Sequence, residues 1–82
     1  MINLNIDILD ALADDFEGTE QIKKYLIFLG YELKSNEIEE AIQNMLNQEL
    51  IFVNKNISDN EYTWYGLTEK GKSLWIQETE KI

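Results

Sequence analysis

Residues 64–75 read WYGLTEKGKSLW, an aromatic, strand-like run that passes with no linker into what looks like a capped helix. Trp64, Tyr65 and Leu67 suit a half-buried strand, and Thr68 offers a side-chain oxygen to the free amides of a first helical turn. A chain that leaves a strand at Leu67 and enters a helix at Thr68 must fold back tightly. Gly66 relaxes the backbone at that corner, and Gly71 lets the helix approach its neighbour closely. The junction sets a helix beside a hairpin, and the rest of the chain can be read outward from it.

On the N-terminal side the periodicity is helical. NLNIDILDALADDF (3–16) puts Ile6, Ile8, Leu9, Leu12, Ala13 and Phe16 on one face, with Asp7, Asp10 and Asp14 opposite, predicting a helix over about 4–16 capped by Asn3 or Asn5. Thr19 is placed to cap a second helix, lined by Ile22, Tyr25, Leu26 and Leu29 and ended by Gly30. SNEIEEAIQNMLNQEL (35–50) gives the clearest stripe, Ile38, Ala41, Ile42, Met45 and Leu46, with Ser35 as its candidate cap. After Leu50 the period changes. IFVNK reads as a strand, NISDN as a turn and EYTWYGL as a second strand, followed by the helix EKGKSLWIQETEKI with Gly71, Leu74 and Trp75 toward the core. The expectation is one α+β domain over 1–82: three helices, a two-stranded hairpin and a C-terminal helix.

Composition bounds the chemistry. The chain of 82 residues has no Cys, His, Pro or Arg, and its sixteen acids stand against seven lysines, for a net charge of −9. Residues 1–49 hold eleven acids and three lysines, net −8; residues 50–82 hold five and four, net −1. Disulfides and thiolate metal sites are impossible, and the usual catalytic base and strongest nucleophile are both absent, so no enzyme activity is expected. The acidic groups Asp14-Asp15-Glu17 and Glu37-Glu39-Glu40 fall on polar helix faces. NKNISDNE (54–61) resembles the start of a calcium loop, but Tyr65 stands where the bidentate glutamate is required. No cofactor or metal is expected. No stretch reaches the roughly 20 apolar residues of a membrane span, and no secretion signal is visible, which makes the cytoplasm the expected address.

Glu49-Leu50-Ile51 entering a strand, and Tyr65-Gly66-Leu67-Thr68-Glu69-Lys70-Gly71 opening the last helix, resemble the winged helix, the helix-turn-helix variant with a β-hairpin wing, in bacterial regulators of the MarR and PadR type. Trp64 through Trp75 is similar to the pattern W-[FY]-G-LT-x-x-G-x-x-LW of small bacterial winged-helix proteins. The resemblance covers most of the chain. It implies a third helix that enters the major groove of DNA and a wing tip that touches phosphate or the minor groove.

The charge pattern argues against that use. Residues 36–49 carry four glutamates and no basic residue, and Lys55 in the wing stands against Asp59 and Glu61. Each close approach of like charges costs roughly 1 kcal/mol in a water-like dielectric. The expectation drawn from charge is therefore a protein–protein interaction or dimerisation module that does not bind nucleic acid directly, membranes or an evident small-molecule substrate. Its surface would be Ile27, Phe28, Tyr31, Trp75 and Ile76, surplus to one core, with the acidic face of Glu37, Glu39 and Glu40 steering the partner. The alternative is a DNA-binding regulator using Asn44, Asn47, Gln48 and Lys55. A third reading, motivated by the −8 half, is an anionic decoy of DNA.

Overall fold

The computed structural model describes residues 3–58 and 62–80. The order is α1 (Leu4–Leu12), β1 (Glu17–Gly18), α2 (Thr19–Phe28), α3 (Ser35–Asn47), β2 (Ile51–Val53), β3 (Trp64–Leu67) and α4 (Glu69–Thr79). The three strands form one antiparallel sheet in the order β1-β3-β2, with Glu17 opposite Tyr65, Ile51 opposite Leu67 and Val53 opposite Tyr65. This is the α+β winged helix that the resemblance implied.

Each helix starts and stops for a local reason. In α1 the Asn3 side chain accepts the Ile6 amide at 3.2 Å, and the helix buries Ile8, Leu9 and Leu12. It ends at Leu12 rather than Phe16. The Asp15 carboxylate instead accepts the Phe16 amide at 2.7 Å, and an acidic pair is unfavourable at the negative end of a helix dipole. Freed from the helix, Glu17 and Gly18 become the third strand, beyond the expected hairpin. Phe16 lies edge-to-face on Phe52, ring centres 6.1 Å apart, across the space above Gly66, where a Cβ would come within 2.6 Å of the Phe16 ring.

The caps of α2 and α3 each sit one residue before the expected one. Gly18 precedes α2, its amide held at 3.1 Å by the Gln21 side chain, and Thr19 is already helical. Lys34 precedes α3, its amide held at 3.2 Å by Glu37, and Ser35 is the first helical residue. Both helices end in the same turn. Gly30, at φ 101°, donates to the Ile27 carbonyl while Tyr31 donates to Leu26. Glu49, at φ 61°, donates to Leu46 while Leu50 donates to Met45. These paired bonds satisfy carbonyls that a helix end leaves open.

The core is a single cluster in which α1, α2 and α3 contribute Ile8, Leu9, Leu12, Ile22, Leu26, Ile38, Ala41, Ile42 and Met45, closed below by Leu50 and Ile51. The strand-to-helix junction is built as its glycine and threonine suggested. Thr68 Oγ1 accepts the Gly71 amide at 2.9 Å and donates to the Glu49 carbonyl at 2.6 Å. A Cβ on Gly71 would lie 1.9 Å from the Leu50 carbonyl oxygen, so the first turn of α4 packs backbone against backbone on the segment that leads from α3 into β2.

Candidate functional site

Because Ile38, Ala41, Ile42 and Met45 turn inward, the opposite stripe of α3 is fixed by the helical period as Asn36, Glu40, Gln43 and Asn47, at i, i+4, i+7 and i+11. All four are exposed, with Glu39 and Asn44 flanking them. Gln43 Nε2 donates to Asn47 Oδ1 at 3.2 Å, tying two amides of the stripe together one turn apart. Of the four glutamates counted in 36–49, Glu37 is turned back onto the Lys34 amide and Glu49 lies beyond the last helical residue. The outward face itself keeps Glu39 and Glu40.

Lysines stand at both ends of this helix. Lys34 is its N-cap, and Lys23 of α2 donates to Ser35 Oγ at 3.3 Å, bringing a second cation to the same end. At the other end Lys70 donates to the Gln48 carbonyl at 2.9 Å. Thirteen residues of α-helix separate these groups by about 20 Å. In the wing, Asn54 Oδ1 accepts the Asn56 amide at 3.1 Å, and Ser58 Oγ donates to the Asn54 carbonyl while accepting the Trp64 amide at 2.9 Å. These bonds fold the base of the wing and leave Lys55 exposed. Asp59 and Glu61, set against Lys55 in the sequence argument, lie outside the described residues. Tyr62 stacks on Trp64 with ring centres 6.1 Å apart, beside a cleft of about 370 Å³ lined by Thr19, Glu20, Glu39, Tyr62 and Thr63.

The residues expected to read bases are partly regrouped. Asn47 lies on the outward stripe, Asn44 at its edge, and Gln48 is the C-cap with its carbonyl occupied by Lys70. Asn36 and Gln43 share the outward stripe without having been singled out in the sequence, although the same periodicity that found the core stripe points to its opposite.

The five apolar residues proposed as an association surface do not form one group. Ile27, Phe28 and Ile76 are 53%, 84% and 36% exposed. Tyr31 and Trp75 instead pack against the core, and their polar atoms are tied to α1: the Tyr31 hydroxyl donates to Asp7, and Trp75 Nε1 donates to Asp10 at 3.0 Å. Tyr25 donates to the other Asp10 oxygen. Hydrogen bonding to Asp10, with burial and the nearby charges, raises the Tyr25 phenol from its ordinary 10 to about 12. Burial first, then the bond to Asp7, raises Tyr31 to about 12. These contacts stitch α1 to α2 and α4. A cleft of about 430 Å³ over the Tyr25–Asp10–Trp75 group, rimmed by Asp14, Glu17 and Lys24, takes no residue from α3. Among the described residues no three acidic side chains converge on a possible metal site, and no helix is long and apolar enough to cross a membrane.

No protein-family model matches the sequence, and comparison with curated proteins gives no match. Solved structures do match. RosR of H. salinarum aligns with a TM-score of 0.84 at 20% identity, over 98% of this chain and 72% of its own. PadR of Bacillus subtilis, in complex with operator DNA, aligns at 0.80 and 18% identity, over 96% of this chain and 48% of PadR. The adhesin competence repressor AdcR of Streptococcus pyogenes aligns at 0.78 and 22%, over 96% of this chain and 55% of AdcR. The chain thus has a winged-helix, MarR/PadR-like fold, and it spans about half the length of PadR and AdcR.

These neighbours correct the reading drawn from charge. They are regulators rather than enzymes, and one holds operator DNA, so neither an interaction module that avoids nucleic acid nor a decoy of DNA stands as the best account of the chain. The physical fault was to sum charge over residues 36–49. The sum counted one glutamate used as a cap and one outside the helix, and it overlooked the lysines that neighbouring elements bring to both ends.

Proposed function

We propose that this chain is the DNA-binding domain of a transcriptional regulator, with α3 laid in the major groove and the wing beside it. The observation that carries the proposal is the arrangement of α3. Its outward stripe of hydrogen-bonding side chains is open, and cations stand at its two ends, in a fold shared with an operator-bound PadR. A major groove is about 12 Å wide, so a helix roughly 20 Å long places its middle over base edges and its ends near the bordering phosphates. Lys23 and Lys34 would serve one phosphate strand, Lys70 the other, and Lys55 a phosphate under the wing. Base contacts then come from the amides between them. Under this reading the chain works where the DNA is, in the cytoplasm, and carries no catalytic activity.

The sign of the whole chain sets the strength of such binding. Four phosphate contacts give a dependence of log affinity on log salt of about −4 at most, shallow for a DNA-binding protein, and a net charge of −9 opposes approach at long range. Binding is expected at low ionic strength and weak near physiological salt unless a larger assembly presents the domain. The test is retention of duplex DNA across a salt series. Lys34→Gln and Lys55→Gln should weaken binding to all sequences alike, each reducing the slope by about 1. A chain that retains no duplex at the lowest salt would overturn the proposal.

A further inference from the structure

Resting on that reading, we infer that the outward stripe of α3 selects adenine and cytosine on the contacted strand and rejects guanine. The inference comes from the donor and acceptor content of the stripe. Guanine shows the major groove two acceptors, N7 and O6, and is matched by a group with two donors, normally arginine or lysine. Adenine shows one acceptor and one donor, matched by a carboxamide; cytosine shows a donor, matched by a carboxylate. Asn36, Gln43 and Asn47 are carboxamides, Glu40 is a carboxylate, and the helix has no cationic side chain between Ser35 and Asn47.

The Gln43–Asn47 bond strengthens the argument. It uses one donor of Gln43 and one lone pair of Asn47, leaving each amide a donor and an acceptor. It also fixes the two side chains before any duplex arrives, reducing the ordering that binding requires. Glu40 lies on the same stripe, where its carboxylate repels the two guanine acceptors and accepts from cytosine N4. The recognised site is therefore rich in A·T pairs, with one cytosine on the strand that carries the contacted adenines.

Selection from a pool of duplexes with a randomised centre, at low salt and with the whole chain, tests this directly. Enrichment of adenine with one cytosine is expected. Gln43→Ala and Asn47→Ala should each flatten the preference at one position by about tenfold, and Glu40→Gln should change its preferred base from cytosine to adenine. Replacing the contacted adenines by 7-deazaadenine keeps the pairing and removes N7. It should cost about tenfold, and unchanged affinity would show that groove shape alone is read, overturning the inference. Enrichment of guanine, or retention without preference, would overturn the inference and leave the proposed function standing. Failure to retain any duplex would remove the proposed function and the inference with it. These side chains are exposed, so an unchanged circular dichroism spectrum and Tm would establish that each variant is folded.

Discussion

The seam where the start of α4 meets the segment between α3 and β2 and the outward face of α3 use their residues in opposite ways. In the seam the backbones touch: Gly71 lies under the Leu50 carbonyl, and Thr68 bonds to both the Glu49 carbonyl and the Gly71 amide. On the outward face one side-chain bond joins Gln43 to Asn47, and everything else is open to solvent. Packing is concentrated in the seam, and hydrogen-bonding capacity is left on the outward face, where little stability depends on it. The difference makes the two regions separable by mutation.

The largest effect is expected in the seam. Gly71→Ala places a methyl group 1.9 Å from the Leu50 oxygen, a backbone atom that cannot turn aside. Moving α4 away costs about 3 kcal/mol, a large share of the roughly 5 kcal/mol typical of so small a domain. Thermal unfolding should show Tm falling by about 15 °C or more. A drop of only a degree or two would mean that the seam is looser than its geometry.

The packed side also contains the two phenols tied to α1, and they give it a pH dependence. The folded pKa values of Tyr25 and Tyr31 are about 12, above the unfolded value of 10. A raised folded pKa means that the stabilisation is fully present below pH 10. It is lost as pH rises toward 12, because there the unfolded chain releases protons that the folded chain retains. Tm should hold up to pH 10 and then fall. The double variant Tyr25→Phe with Tyr31→Phe should be less stable at neutral pH and should lose most of that alkaline decline.

Glu49 sharpens the comparison within the seam. It occupies the left-handed position that Gly30 occupies at the end of α2, with the same pair of hydrogen bonds around it. A non-glycine residue in that conformation carries about 1 kcal/mol of strain. Glu49→Gly should therefore raise stability by up to about 1 kcal/mol, less the entropy that glycine adds to the unfolded chain, whereas Gly30→Ala should lower it by a similar amount. Chemical denaturation resolves both signs. If Glu49→Gly is destabilising, the glutamate side chain makes a contribution larger than the strain.

What could be read from the residues follows the same division. The seam was legible because it is local: Thr68 and Gly71 stand three apart, and five apolar residues of α3 follow the helical period. The strand Glu17–Gly18 was not, since two residues show no alternation and its partner lies more than forty positions away. The early end of α1 depends on Asp15 bonding its own neighbour, a competition that apolar periodicity does not register. Tyr31 and Trp75 were read as association surface, Trp75 also as core-facing, and both are tied inward for a related reason. Their carboxylate partners Asp7 and Asp10 sit on the face of α1 read as solvent, and only the fold brings phenol and indole to them. The function reading failed where net charge replaced position, because Lys23 and Lys70 reach α3 from other elements.

The smallest expected effect is on the outward face, and it carries the most meaning. Gln43→Ala and Asn47→Ala remove one exposed hydrogen bond, worth no more than about 0.5 kcal/mol, and alanine's higher helix propensity offsets part of it. Denaturation curves of both variants should overlay that of the parent within error, while the base preference measured on the same preparations changes. A loss above 1 kcal/mol would mean that the stripe supports the fold after all, and its amides would then have a structural reason to be where they are. Unchanged stability joined to changed selectivity would place their purpose outside the molecule, in recognition of bases.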